Sequence, residues 1–310
     1  MPTRHNLPHY RPLCQEDLAE ALDLLAVGLN QVRASVNRPP LPKRQETLDL
    51  LHHLLTYDPE GCWGVEVARR LEGICLAALR EQTWFLSHFW VRSDQKQRGL
   101  GRPLLQKVWD YGQRKGATLF ATHASPDLAA HALYTRFGMD PVWPVYRLEG
   151  NEIAAARFVA RWGGSLEQRP FDAQSLVEVT GELTLMDRAV RKAARVEDHR
   201  FWLQSLRARA VLVHERGGKK VMGYGYALGE GELGPILALA PEHLPHVIAQ
   251  TIRTLLPGAT SFHLYVPGPA VQAMRALLEV GFRAALFNVF FSSAPFPHPA
   301  AYIPSGPDLW

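Results

Sequence analysis

The sequence predicts a mixed α/β fold, a mixed sheet flanked by helices, built twice in tandem along the 310-residue chain. Two observations carry this prediction. Segments with the apolar spacing of helices alternate with short strand-like runs. The order of these segments in the first half then partly recurs in the second half. We therefore predict two domains of ordinary size, residues 1–150 and residues 151–310.

The first half is predicted to open with two helices, Glu16–Val32 and Gln45–Leu55, because their apolar residues recur at helical spacing. Residues 69–73 are predicted to be a turn between the first two strands of a meander. The later elements are strands Cys62–Ala68, Ile74–Arg80 and Trp84–Val91, helix Pro103–Lys115 with Gly116 as its cap, strand Thr118–Thr122, helix Pro126–Phe137 and strand Val142–Leu148.

Residues 150–168, which contain Gly163-Gly164-Ser165, are predicted to be the joint between the domains. The element order then recurs without visible residue identity, which favours a tandem duplication. The predicted elements are helices within Leu176–Arg207, strands Val211–His214, Val221–Leu228 and Leu233–Leu239, helix Glu242–Leu255, strand Ser261–Val266, helix Ala270–Val280 and strand Ala284–Phe291.

Composition is that of a soluble globular protein, with 47% hydrophobic and 21% charged residues. The net charge of +4 is spread over both halves, which argues against a nucleic-acid partner. No signal segment opens the sequence and no apolar run could span a bilayer, so we expect a cytoplasmic protein without a membrane partner. His243 and His246 lie in a proline-rich loop without further ligands, and no metal is predicted.

The sharpest local motif follows the predicted strand that ends at Val91. A polar loop leads to Gly99 and Gly101, directly before a helix opened by Pro103. Glycines let backbone N–H groups approach a ligand closely, and a helix N-terminus adds partial positive charge. With Lys96, Arg98 and Arg102 nearby, the loop predicts a pyrophosphate site, with an ordinary tight turn as the alternative.

A second motif is predicted to form a helix with Ser125 as its N-terminal cap, Pro126 as its first residue and Gly138 just beyond its end. Tyr134 lies near the C-terminus of this helix. A tyrosine at such a position on an isolated helix is more often a core or surface residue than a catalytic one.

With both motifs present, residues 1–150 resemble the GNAT superfamily of N-acetyltransferases. The family's acetyl-CoA motif, Gln/Arg-x-x-Gly-x-Gly/Ala, corresponds to Lys96-Gln-Arg-Gly99-Leu-Gly101. A later family motif, Asn-x-x-Ala-x-x-Leu-Tyr-x-x-x-Gly-Phe, corresponds to Asp127-x-x-Ala130-x-x-Leu133-Tyr134-x-x-x-Gly138-Met139. The departures are lysine at the first position of one motif, and aspartate for asparagine and methionine for phenylalanine in the other.

This resemblance implies acetyl-CoA as co-substrate and direct transfer of its acetyl group to an amine. Backbone amides from Gln97 to Arg102 would hold the pyrophosphate, and the pantetheine arm would lie along the strand that ends at Trp90 and Val91. Tyr134 would donate a proton to the departing thiolate as general acid. The matching cofactor positions in the two motifs are Lys96, Gln97, Arg98, Gly99, Leu100, Gly101, Arg102 and Asp127.

The attacking amine must be neutral, which requires a base or a water relay. The candidate residues are Glu66, Glu81, His88 and His123. Each of these residues also has an ordinary structural interpretation. His88 and His123 are the preferred pair, because both lie where the family opens its central strands.

The second copy lacks the features that a pyrophosphate requires. The loop at residues 240–245 has two prolines and a glutamate in place of glycines and cations, and Leu277 stands where the tyrosine would fall. We expect this copy neither to bind CoA nor to catalyse, but to shape the substrate cleft or to mediate homodimerisation.

The leading hypothesis is an enzyme that acetylates a primary amine of a small molecule or peptide. The alternative is a regulatory protein that binds acyl-CoA without turnover, and the departures from the family motifs keep it open. A third hypothesis, a basic protein associated with nucleic acid, would require a charge asymmetry that the sequence lacks.

Overall fold

The computed structural model describes residues 7–92, 99–218, 220–256 and 258–310. Its contacts divide the chain into two compact units, Met1–Met139 (unit 1) and Asp140–Trp310 (unit 2). Both contain helices and sheet, and the predicted fold class is confirmed.

Unit 1 contains a sheet in the order β1-β2-β3-β4-β5. Its neighbours are antiparallel except for β4 and β5, which are parallel. The elements are β1 (His9–Pro12), α1 (Leu18–Ser35), α2 (Gln45–Tyr57), β2 (Cys62–Val67), β3 (Arg70–Arg80), β4 (Thr83–Val91), α3 (Gly101–Arg114), β5 (Leu119–Ala124) and α4 (Leu128–Arg136).

Three details of unit 1 differ from the sequence prediction. The turn between β2 and β3 is only Ala68 and Arg69, both with positive φ, so residues 70–73 continue the strand. Helix α3 begins at Gly101, ahead of the predicted Pro103. Asp127, and not Ser125, caps α4, because its carboxylate accepts the amides of residues 129 and 130.

Unit 2 contains two groups of antiparallel strands, β13-β10-β9-β8-β7 and β12-β6-β11. Its elements are β6 (Asp140–Asn151), α5 (Glu152–Trp162), β7 (Leu166–Phe171), α6 (Leu176–Arg191), α7 (Val196–Gln204), β8 (Arg209–Glu215), β9 (Val221–Ala227), β10 (Leu233–Ala238), α8 (Leu244–Arg253), β11 (Ser261–Pro267), α9 (Val271–Glu279), β12 (Arg283–Ser292) and β13 (Tyr302–Ile303).

The element order from β1 to β6 recurs from β7 to β12, which is the repeat predicted from the sequence. By contacts, however, β6 groups with unit 2 because it pairs with β11 and β12. The division therefore falls after Met139, ahead of the predicted boundary at residue 150.

Residues 150–168, the predicted joint between the domains, contain helix α5 and the start of β7. Asn151 caps α5 by accepting the amide of Ala154 at 3.0 Å. Ala154, Ala155 and Phe158 lie at helical spacing and pack into the core of unit 2. The two glycines and the serine only end this helix.

The core of unit 1 contains a buried ion pair at the end of β3. Asp58 accepts hydrogen bonds from the Arg80 guanidinium at 2.8 Å, the Leu79 amide at 2.8 Å and the Tyr111 hydroxyl at 2.9 Å. Asp58 and Arg80 are 2% and 7% exposed, so removal of either charge leaves the other buried without compensation.

We expect Asp58→Ala to lower the free energy of unfolding by about 3–5 kcal/mol, because it strands the Arg80 charge and removes the acceptor of two further donors. Urea unfolding measures this change. Glu60→Ala is the matched control, since Glu60 in the next turn forms only exposed ion pairs, with Arg114 and Lys115, and little change is expected. Equal losses of unfolding free energy in the two variants would contradict a stabilising role for the buried pair of Asp58 and Arg80.

Candidate functional site

The central feature of unit 1 is the point at which β4 and β5 stop pairing. Their parallel ladder runs from the Thr83–Leu119 pair to the Leu86–Thr122 pair. The Thr122 hydroxyl donates to the Leu86 carbonyl at 2.9 Å at this last pair. Strand β4 nevertheless continues to Val91, so its final five residues extend beyond the ladder. We call this stretch, residues 87–91, the extended edge.

A β-bulge lies at the start of the extended edge. On β3, Leu76 pairs with His88 and Ala77 pairs with Leu86, which leaves Ser87 as the extra residue of β4. A bulge places two residues opposite one, bends the strand and changes which side chains share a face.

After the bulge, successive side chains of β4 contact different helices. Phe89 lies on the face of α3 and α4, where its ring is 6.3 Å from that of Tyr134 and a Cβ on Gly101 would lie 3.0 Å from its Cζ atom. Trp90 lies on the face of α1, where a Cβ on Gly28 would overlap its indole ring. His88 shares the face of Trp90, because side chains two apart in a strand point the same way.

Helix α3 begins at the end of the glycine motif. Gly99 has φ of +76°, a conformation that favours glycine, and Gly101 is the first helical residue. The Leu100 side chain is buried and its carbonyl accepts a hydrogen bond from Tyr10 at 3.3 Å, which anchors the loop to β1. Arg102 is exposed at the helix N-terminus. Lys96, Gln97 and Arg98 lie outside the described residues.

Tyr134 is buried on α4 beside Phe89. Burial raises the pKa of its phenol above the ordinary value, so the hydroxyl keeps its proton at neutral pH. Asp127 caps the same helix, which gives this motif residue a structural role in addition to any contact with a ligand.

The two histidine candidates lie near the point where the ladder ends. His88 is buried, and its Nδ1 atom is 2.8 Å from the Ser87 hydroxyl. His123 on β5 meets the Phe85 ring edge to face at 5.6 Å. On β3, Phe85 pairs with Ala78 and His88 pairs with Leu76. Since Ala78 and Leu76 are two residues apart, Phe85 and His88 lie on the same face of the sheet. Tyr134 lies on the opposite face.

The other two base candidates lie elsewhere in unit 1. Glu66 on β2 forms an ion pair with Arg11 at 3.1 Å. Glu81 is an exposed turn residue with positive φ between β3 and β4. The structure therefore does not bring either carboxylate to the extended edge.

Sequence reasoning missed Ser87 and Gly28. One signal was available for the bulge, because apolar residues recur at Trp84 and Leu86 and then at Phe89, a break in strict alternation. The approach of α1 to Trp90 has no such local signal, since it joins residues that are distant in the sequence.

In unit 2, the corresponding strands β10 and β11 meet at a parallel bridge between Glu232 and His263. Farther along β10, the chain's own strand β13 pairs with it, Ile303 opposite Ile236 and Tyr302 opposite Leu237. Strand β13 also contacts β11. The gap between β10 and β11 is thus filled by this chain.

Two further features hold β13 in that gap. A Cβ on Gly234 would overlap the Pro304 carbonyl, so this glycine permits the close approach of the segment after β13. The Tyr302 hydroxyl accepts a hydrogen bond from Arg195 at 2.7 Å, and both residues are fully buried.

Arg195 belongs to a buried polar cluster, defined here as the Arg195 cluster. Arg195 donates to Tyr224 at 2.6 Å, and Tyr224 donates to Asp187 at 2.6 Å. His199 bridges Asp187 at 2.9 Å and Tyr226 at 2.6 Å. Burial alone would raise the pKa of Asp187, but the charge of Arg195 holds it below its ordinary value.

A family comparison matches residues 29–139, which run from within α1 to just beyond α4, to the acetyltransferase (GNAT) family. This part of the chain contains the extended edge, the start of α3 and Tyr134. Acetyl transfer is the general reaction of the family, which generally uses acetyl-CoA. A search of curated proteins found no match.

Comparison with solved structures shows that the fold extends over the whole chain. A Pyrococcus horikoshii protein described as an acetyltransferase has a TM-score of 0.76 at 14% identity, over 100% of this chain and 98% of its own. A GCN5-related N-acetyltransferase from Sphaerobacter thermophilus has a TM-score of 0.62 at 16% identity, covering 95% and 98%. A tandem GNAT protein from the clavulanic acid biosynthesis pathway has a TM-score of 0.57 at 15% identity, covering 93% and 99%.

Two searches of the described residues gave negative results. No helix in this part of the chain is long and apolar enough to cross a membrane. Across the same residues, no three or more His, Cys, Asp and Glu side chains are grouped so as to hold a metal ion.

We expect Gly28→Ala to lower the free energy of unfolding by about 1–3 kcal/mol, because the added methyl group overlaps the Trp90 indole. Gly181→Ala is the matched control, since Gly181 lies exposed within α6 with open space at its Cβ. It should raise stability by about 0.5–1 kcal/mol. Thermal or urea unfolding distinguishes the opposite signs, and stabilisation by both changes would contradict the contact.

Proposed function

We propose that the chain is an acetyl-CoA-dependent N-acetyltransferase that acetylates a primary amine of a small molecule or peptide. The observation that carries the proposal is the extended edge of β4, whose Phe89 lies against both the glycine at the start of α3 and the buried Tyr134, within the family-matched region. The amine would attack the thioester directly, so the reaction needs no serine or cysteine nucleophile.

The start of α3 would hold the pyrophosphate of acetyl-CoA. Backbone N–H groups of the first helical turn lack partners within their own helix, and the helix dipole favours an anion there. In α3 these groups are the amides of Gly101 and Arg102, and the amides of Gly99 and Leu100 lie directly before the helix. The Arg102 side chain adds positive charge. We extend this assignment to Lys96, Gln97 and Arg98, as the sequence motif predicts.

The extended edge would receive the pantetheine arm. A strand beyond its ladder presents backbone donors and acceptors to an extended ligand, much as it would to another strand. The assignment places the arm beside Trp90 and Val91. A backbone N–H near Val91 would stabilise the negative charge that develops on the thioester oxygen.

Tyr134 would act as general acid. Its raised pKa keeps the phenol protonated, so it can give a proton to the sulfur as the carbon–sulfur bond breaks. The amine nitrogen forms the new bond to the acetyl carbon and loses a proton to a base. His88 and His123 are the candidates for that base, and their face of the sheet is opposite that of Tyr134.

We propose that unit 2 binds no acetyl-CoA. The loop after β10 holds a turn at Pro241–His243 in place of glycines, and Leu277 is a buried core residue of α9. In addition, β13 already pairs with the edge of β10 that would face an extended ligand. One acetyl-CoA is therefore expected per chain. A contribution of unit 2 to dimerisation stays a prediction from the sequence.

Calorimetric titration of acetyl-CoA should give one site per chain, and Gly99→Glu should abolish binding because it adds negative charge and a side chain at a positive φ. Two sites, or binding that survives in Gly99→Glu, would contradict the placement. Absence of binding to the wild type would contradict the proposed function itself.

Tyr134→Phe should leave acetyl-CoA binding intact and lower kcat by about 10²–10⁴-fold, the range typical of a lost general acid. Release of free CoA with a panel of amines measures the rate. Tyr111→Phe is the matched control, because it removes another buried hydroxyl of unit 1 that bonds only Asp58. Equal effects on rate would contradict the assignment, and binding without turnover for any amine would favour the acyl-CoA-binding alternative.

A further inference from the structure

The bulge residue Ser87 directly precedes His88, one of the two candidates for the base. In a regular strand, consecutive side chains point to opposite faces of the sheet. The bulge lets Ser87 and His88 lie on one face, where the Ser87 hydroxyl is 2.8 Å from His88 Nδ1. The hydrogen bond between neighbouring residues is therefore a product of the bulge.

In a neutral histidine, a hydrogen bond at one ring nitrogen determines whether the other nitrogen carries a proton or a lone pair. A neutral imidazole carries one N–H and one lone pair, so a partner that accepts at Nδ1 leaves the lone pair on Nε2. The Ser87 hydroxyl is able to accept as well as donate. It can thus stabilise the Nδ1–H tautomer, which an unrestrained histidine adopts less often than the Nε2–H tautomer.

We propose that Ser87 is a positioning residue that holds His88 in the Nδ1–H tautomer, so that Nε2 takes the proton of the attacking amine. This inference rests on the proposed function. In the step, the amine nitrogen forms a bond to the acetyl carbon and its N–H bond breaks, while a new N–H bond forms at Nε2. The carbon–sulfur bond breaks, and the sulfur receives the Tyr134 proton.

The placement favours His88 over His123 as this base. His88 lies within the extended edge, at the residue after the bulge, whereas His123 lies on β5 beyond the Thr122 pair. His88 also has a polar side chain at hydrogen-bond distance from Nδ1.

Nitrogen-15 NMR of the histidine rings tests the proposal in the free protein, without turnover. Spectra at a pH where His88 is neutral should show its Nδ1 protonated and its Nε2 unprotonated, with the signal identified by its loss in His88→Gln. Ser87→Ala should move His88 towards the Nε2–H form, and Ser87→Thr, which keeps the hydroxyl, should restore the wild-type pattern. An Nε2–H form in the wild type overturns the proposal even if neither Ser87 variant folds.

Kinetics supply the second readout. Ser87→Ala should lower kcat about tenfold, the smaller end of the loss seen when an outer hydrogen bond that orients a histidine is removed, while KM for acetyl-CoA stays unchanged. Ser87→Thr should recover most of the rate. A shifted tautomer with an unchanged kcat would overturn the role of His88 as the base. An inactive wild type with the expected tautomer would instead count against the proposed function.

Discussion

The parting of β4 from β5 after Leu86 is the constraint on which the rest of unit 1 depends. A parallel pair that continued to the strand ends would bury both edges in hydrogen bonds and leave no extended surface. Here the ladder stops, and the bulge at Ser87 turns the rest of β4. The bulge also determines the face on which each later side chain of β4 lies: Phe89 lies beside Tyr134, and Trp90 lies beside α1.

The two copies of the fold differ at the edge of the corresponding strand, β4 in unit 1 and β10 in unit 2. In unit 1, β4 runs past its ladder and ends before a helix that starts with glycine. In unit 2, β13 pairs with β10, and buried polar groups hold Tyr302 in place. The Arg195 cluster is costly to bury, but its charges are paired and hydrogen-bonded, which limits that cost. Such a cluster favours one arrangement of α6, α7, β9 and β13.

The sequence predicted most of the fold because apolar residues recur at helical spacing in most of the helices, and because the strands are short apolar runs bounded by turn residues. It also predicted the repeat and the positions of Gly99, Gly101 and Tyr134, since these belong to local motifs. It missed β1 and β13, which are short and gain their stability from pairing with distant strands. It did not predict α5, because the glycine pair that follows the helix is a turn signal. It could not predict the faces of His88 and Tyr134, which depend on one inserted residue.

The strand that fills unit 2 is covalently attached to the molecule whose gap it occupies. Its local concentration at β10 is therefore set by the geometry of the connecting chain and does not vary with the supply of any metabolite. Occupancy of a free ligand, in contrast, follows its concentration by mass action. Under the proposed function, one of the two related gaps in the polypeptide is therefore insensitive to the acyl-donor pool, and only the other responds to it.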